Sequence, residues 1–433
     1  MQVGVSGASR EYVPGSRVSV LASHLTVSSA RTVGADGDND GDRIVRLTFE
    51  IIQAFVPFTM AVVCRVRPLS IECPNGNGNG SDRSSTLPAE CVLKLFDRRG
   101  VPNLRAEFDE GRAYDRNRET AYKNYLLDID KPCHDFDSYP FWLHEDEEDE
   151  GVFEAYIAHQ CETMWTKEVQ AYKRMEDLQG HSIPRLLGVV KYSPPGDQLD
   201  INGVLLEYVP STTLRGYITT KLQRGPIDRD EISSVCQEAV DLVKTVGENG
   251  VLNKDVRLDN ILVRTKVAFP RSIPDPPATA TPSSFLKRFI SYLPTLPTRL
   301  FRHNSPLPAL RPSPCLAIDF ASCRLRYEDE TDEEWRRAKQ SQDEEGAIGS
   351  VLEWLLKECS KGVAQGGSAG GSGGGTGPVL DGSGVWTYTP SWRWDRKLTK
   401  DEQAAYEADS SWGLYKRHER VRDLDHDSAT TVS

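Results

Sequence analysis

Apolar and polar residues alternate in "RLTFEI" (46–51), and "AVVCRVR" (61–67) and "CVLKLF" (91–96) repeat the pattern, which predicts three strands. The period then changes. In "FEAYIAHQCETMWTKEVQAYKRMEDL" (153–178), Ile157, Cys161, Met164, Tyr172 and Met175 recur at helical spacing, and Glu168 points along the same apolar face. "LLGVVKY" (186–192) and "GVLLEYV" (203–209), separated by a "PPGD" turn, predict a hairpin. "DEISSVCQEAVDLVKTV" (230–246) predicts a second amphipathic helix that stops at Gly247 and Gly250. Short strands are expected at "ILV" (261–263) and "CLAIDF" (315–320), and further helices at 342–359 and 400–418. No internal repeat is visible.

Polar and low-complexity stretches divide these elements. Residues 1–42 read as a disordered tail and 43–209 as a first block with insertions at 70–90 and 106–152, the latter carrying the acidic run "HEDEEDE". Residues 210–360 form a second block with a Pro-rich insertion at 264–314. Within that insertion "FLKRFISYL" is basic and amphipathic, which makes the insertion a candidate docking point for a protein partner. A Gly-rich linker (361–384) and a C-terminal tail (385–433) follow.

Composition narrows the function classes. The net charge of −12 argues against nucleic acid or anionic lipid as the main partner. No apolar run is long enough for a transmembrane segment, and the N-terminus lacks a basic region followed by an apolar stretch. The nine cysteines include no CxxC pair and no HExxH accompanies them, which fits reduced thiols in a cytoplasmic or nuclear protein better than a disulfide or zinc framework.

Five residues suggest chemistry. Lys94 lies in a strand, Glu168 on the buried face of a helix, Asp255 and Asn260 in one loop ("VLNKDVRLDN", 251–260), and Asp319 at a strand end. A buried carboxylate requires a partner, and Lys94 is the natural one for Glu168. Asp255, Asn260 and Asp319 supply the oxygen ligands and the carboxylate that phosphoryl transfer around a hard cation needs.

In this order the residues resemble the eukaryotic-type protein kinase superfamily, whose catalytic loop H-R-D-L-x-x-x-N is matched by "NKDVRLDN" and whose D-F-G is matched by "DFA". "DRRG…LR", "LQGHSIPRLLG" and "DEEGAIG" are similar to the divergent kinase-like proteins of filamentous fungi. The resemblance implies an α+β, two-lobed fold: an N-terminal antiparallel sheet with one long helix, and a mainly helical C-terminal lobe. It implies ATP and Mg²⁺ as cofactors and a protein or small-molecule phosphoacceptor. Lys94, positioned by Glu168, would hold the ATP phosphates, Asp255 would orient the acceptor hydroxyl, and Arg257 would steady the transferring phosphate. Asn260 and Asp319 would bind the metal, and Leu206, Glu207, Val209 and Leu262 would surround adenine. Three departures bear on this. "IIQAFVPFT" (51–59) has no glycine where a phosphate loop is expected, Asn253 and Ala321 replace a histidine and a glycine, and no A-P-E follows Asp319. The expected activity is that of a divergent Ser/Thr protein kinase, with a small-molecule kinase or a pseudokinase scaffold as alternatives.

Overall fold

The computed structural model describes residues 11–23, 44–72, 87–106, 113–129, 136–137, 149–195, 199–223, 228–265, 313–365, 386 and 388. It is a mixed α/β structure that divides into two compact units. One holds 1–209 with 253–255 and 317–324, and the other holds 210–252, 256–316 and 325–433.

The first unit is built on six strands: β1 (Arg17–Ser23), β2 (Val45–Ala54), β3 (Val62–Glu72), β4 (Cys91–Leu95), β5 (Leu186–Tyr192) and β6 (Ile201–Glu207). They close into a barrel in the order β1-β2-β3-β4-β6-β5, with antiparallel pairing throughout. Period-two alternation sends Val18, Val20 and Ala22 of β1, Leu47, Phe49 and Ile51 of β2, Cys64 and Val66 of β3, and Leu93 and Leu95 of β4 into one apolar interior. That interior is filled by side chains, as small barrels require. Three helices accompany it: α1 (Pro102–Ala106), α2 (Arg116–Leu127) and the 25-residue α3 (Glu150–Arg174). Asp149 caps α3 through bonds from the Gly151 and Val152 N–H groups.

The second unit contains β7 (Ser211–Thr213), α4 (Leu214–Gln223), α5 (Arg229–Glu248), β9 (Ile261–Arg264), α6 (Asp332–Gln342) and α7 (Glu344–Gln365). The chain passes between units within the short strands β8 (Val251–Asn253), β10 (Cys315–Ala317) and β11 (Cys323–Leu325). Ile232, Val235, Ala239 and Val243 make the buried stripe of α5, and α7 packs on α5 and α4 with Ile348, Leu352 and Leu356 buried. Thr331 and Glu334 form a reciprocal capping box at the start of α6, and Trp335 Nε1 donates to Gly247 O at 2.9 Å.

Several expectations need correction. Residues 1–42 are not uniformly a disordered tail: β1 lies within them, held because it pairs with both β2 and β5. For the same reason the expected sheet is a closed barrel. Strand β3 runs to Glu72, past the expected start of the 70–90 insertion, and the 106–152 insertion contains α2 and the start of α3. The "CLAIDF" strand ends at Ala317, because Asp319 turns left-handed (φ 65°). The charged segment after Asp319 forms α6 through its capping box, α4 was not foreseen, and α7 continues into the expected 361–384 linker. The 264–314 insertion (from 266 to 312), the 400–418 helix and nearly all of the C-terminal tail lie outside the described residues. Among the described residues no helix is long and apolar enough to cross a membrane.

Phe49 is fully buried in the barrel interior. Phe49→Ala is expected to lower the unfolding free energy by ~3–5 kcal/mol, read as a shifted urea midpoint, whereas Phe55→Ala at the 40% exposed β2–β3 turn should change it by less than about 0.5 kcal/mol.

Candidate active site

Lys94 owes its direction to strand periodicity. Its neighbours Leu93 and Leu95 face the barrel interior, so its own side chain leaves on the opposite face. It is paired between Val63 of β3 and Val204 of β6. On β6, a Cβ at Gly203 would stand 2.5 Å from Lys94 O, so only glycine allows the two strands to approach as they do there. The Gly203 carbonyl accepts from Trp165 Nε1 of α3 at 3.2 Å, which ties the helix to the sheet beside the lysine.

The ammonium of Lys94 donates to Glu168 Oε2 at 2.9 Å and to Asp319 Oδ1 at 2.7 Å. The Phe96 ring lies 5.2 Å from it. The two carboxylates differ in setting: Glu168 is fully buried, and the Asp319 side chain is 31% exposed. Burial works against the Lys94 charge, but Asp319 and Glu168 outweigh it, so its pKa is held above the ordinary lysine value. Burial raises the Glu168 carboxyl above its ordinary value, while Lys94 and the Phe320 backbone act in the opposite sense.

Asp319 is fixed through its backbone. Its φ of 65° lies in the left-handed region, which aspartate tolerates better than most residues. Phe320 beside it is buried edge-to-face on Tyr172 of α3, with ring centroids 5.6 Å apart. The Asn253 amide donates to Asp319 O at 2.9 Å, and the Asn253 Oδ1 accepts from the Asp255 N–H at 3.0 Å. Asn253 therefore links the loop that carries Asp255 to the turn that carries Asp319. The sequence marked it only as a departure; a buried amide able both to donate and to accept was the available signal.

The structure thus brings Lys94, Glu168, Asp319 and the Asn253–Asp255 segment together within one unit. Leu206, Glu207 and Val209 lie in the same unit, at and just beyond the end of β6; the Glu207 N–H donates to Arg185 O at 2.9 Å and its carboxylate accepts from the Arg185 N–H at 3.2 Å. Arg257, Asn260 and Leu262 belong to the second unit. There Arg257 is exposed, Asn260 is buried at the end of a single 3-10 turn, and Leu262 pairs with Thr213 across β9 and β7. The turn at 55–61 forms no glycine-lined cradle: Phe58 is buried in the barrel core, and Ala61 packs with Phe96 and Ala321.

Comparison with known proteins adds little. No family model matches the chain, and no curated protein matches it. Among solved structures, a single-mutant kinase domain of Mycobacterium tuberculosis PknI aligns at 9% identity over 71% of this chain and 74% of that one, with a TM-score of 0.30. A double-mutant form of the same domain aligns at 10% identity over 50% of this chain, with a TM-score of 0.24, and this chain spans 56% of its length. Similarity at this level carries no argument about fold or activity, so the reading below rests on geometry.

Replacing Lys94 by Met leaves Glu168 buried without its cation and is expected to cost ~3–5 kcal/mol, measured by chemical denaturation. The folded-state lysine pKa is raised, so its contribution to stability is complete below the unfolded value of about 10.4 and fades as pH climbs through the folded value. Wild type should therefore lose stability above about pH 10.4 by a component that Lys94→Met lacks, seen in paired pH–denaturation curves.

Proposed function

We propose that this chain is an ATP- and Mg²⁺-dependent phosphotransferase of protein-kinase-like, two-lobed fold that moves the γ-phosphate of ATP to a hydroxyl. A divergent Ser/Thr protein kinase is the preferred form. The observation that supports this most is the Lys94 ammonium held between Glu168 and Asp319, with Asn253 joining Asp319 to the loop of Asp255. A positioned cation for phosphates, a partly exposed carboxylate for a metal and a second carboxylate for the acceptor are what this reaction needs.

The donor set fits Mg²⁺. Of the two carboxylates on Lys94, only that of Asp319 is exposed enough to turn an oxygen toward a ligand. An oxygen donor of this kind suits a hard cation such as Mg²⁺, which keeps waters and substrate phosphate oxygens among its ligands. Asp319 and Asn260 would hold it, and when bound it neutralises charge on the phosphate oxygens. In this reading Lys94 engages the α- and β-phosphates, Glu168 keeps the ammonium aimed, Asp255 orients the acceptor hydroxyl and Arg257 steadies the transferring group. Leu206, Glu207, Val209 and Leu262 receive the adenine.

One observation favours a second reading. The β2–β3 turn buries Phe58 and Ala61 and offers no glycine, so phosphates would lack the usual backbone N–H cradle. That suits a scaffold with weak nucleotide binding and little transfer. Radiolabelled ATP supplied with generic proteins and with small alcohols separates the two. The active reading expects Mg²⁺-dependent transfer that Asp255→Ala lowers by ~10²–10⁴-fold with little change in the KM for ATP. Asp319→Asn should abolish the metal-dependent transfer without unfolding the chain. Transfer that is absent in wild type, or equal in wild type and both variants, would falsify it.

A further inference from the structure

Directly after the strand that delivers Lys94, the chain places charge where a core is expected. Asp97, Arg98 and Arg99 form a tight turn, and all three are buried, as are Arg105, Glu119 and Glu154. Two guanidinium groups converge on Glu154 of α3. Arg98 Nη1 donates to its Oε2 at 3.0 Å, and the Arg105 fork donates to Oε1 at 2.5 Å and Oε2 at 2.8 Å. Arg105 also donates twice to the Arg98 carbonyl, at 3.2 and 2.9 Å. Arg98 reaches Glu119 of α2 with its other nitrogen and lies over the Tyr122 ring at 4.7 Å. Arg99 faces Asp97, Glu11 and the Tyr12 hydroxyl.

A buried ionic network rarely stabilises more than apolar packing of the same volume would, so its specific effect lies in the geometry it fixes. That geometry follows from the helix. Glu154 and Glu168 are fourteen residues apart on α3, just under four turns, which puts them on nearly the same face about 21 Å apart. Both are fully buried, and both reach partners on the single stretch running from β4 into the turn after it. Apolar packing of Phe153 and Ile157 and the Trp165–Gly203 bond hold α3 as well, but an ion pair at a single point opposes its swing and roll less than two do. Two, at this separation and on one face, oppose both motions.

We infer that Glu154, held by Arg98 and Arg105, is a positioning residue that fixes the roll of α3 and so keeps Glu168 engaged with Lys94 in the resting protein. The inference sharpens the phosphotransferase reading, but its test reads Lys94 itself. The full-length chain is treated with a limiting amine-acylating reagent, and modification of Lys94 is measured by peptide mass spectrometry against the exposed Lys191. In Glu154→Gln, Lys94 labelling should rise by about tenfold or more, the change expected when charge-assisted bonds no longer oppose local opening. Arg105→Lys, which keeps the charge and loses the fork, should raise it less, and Arg105→Met more. Glu11→Gln, which weakens only the Arg99 side, should leave it unchanged. Lys94 staying as protected in folded Glu154→Gln as in wild type overturns the inference, and so does an equal rise in Glu11→Gln. If Glu154→Gln does not fold, Arg105→Lys carries the same two outcomes. Wild type failing to bind Mg-ATP would overturn the proposed function and leave this result standing.

Discussion

An ammonium group out of contact with bulk water is the constraint around which the first unit is arranged. Lys94 cannot stay charged in that setting without anionic partners, and each partner must itself be held. Glu168 is held by a long capped helix, and Asp319 by a left-handed turn, a buried aromatic neighbour and the Asn253 amide. The glycine on β6 and the indole bond to its carbonyl follow from bringing sheet and helix close enough for the pair to form. Two carboxylates share this one cation, and the Asp319 side chain is the more exposed of the two.

Much of this was legible in the sequence where the signal is local. The alternation around Lys94 and the position of Glu168 on an apolar helical face are short-range patterns, and both fix a direction for the side chain. Asp255 and Asp319 were legible only as members of an ordered set. Their meeting within one unit depends on an amide that a motif comparison scores as a mismatch.

What escaped was non-local. Strand β1 carries only three inward residues, and its partners lie about 30 and about 170 positions away, so no window in the chain announces it. Nothing local in "DRRG…LR" shows that Arg98 and Arg105 are buried, because Glu119 and Glu154, which neutralise them, come from later helices. Capping chemistry, not apolar period, forms α6, whose sequence is dominated by charge.

Barrel closure by β1 has one more consequence. A chain trimmed at residue 43, the boundary that composition alone suggests, would keep β2 and β5 but lose the strand that saturates both. Two rows of backbone donors and acceptors would then face solvent on strands whose side chains are already selected for pairing. The expected result is a sticky species that borrows the missing strand from a neighbouring molecule or from any extended peptide at hand. Strand β1 thus covers two strand edges at once.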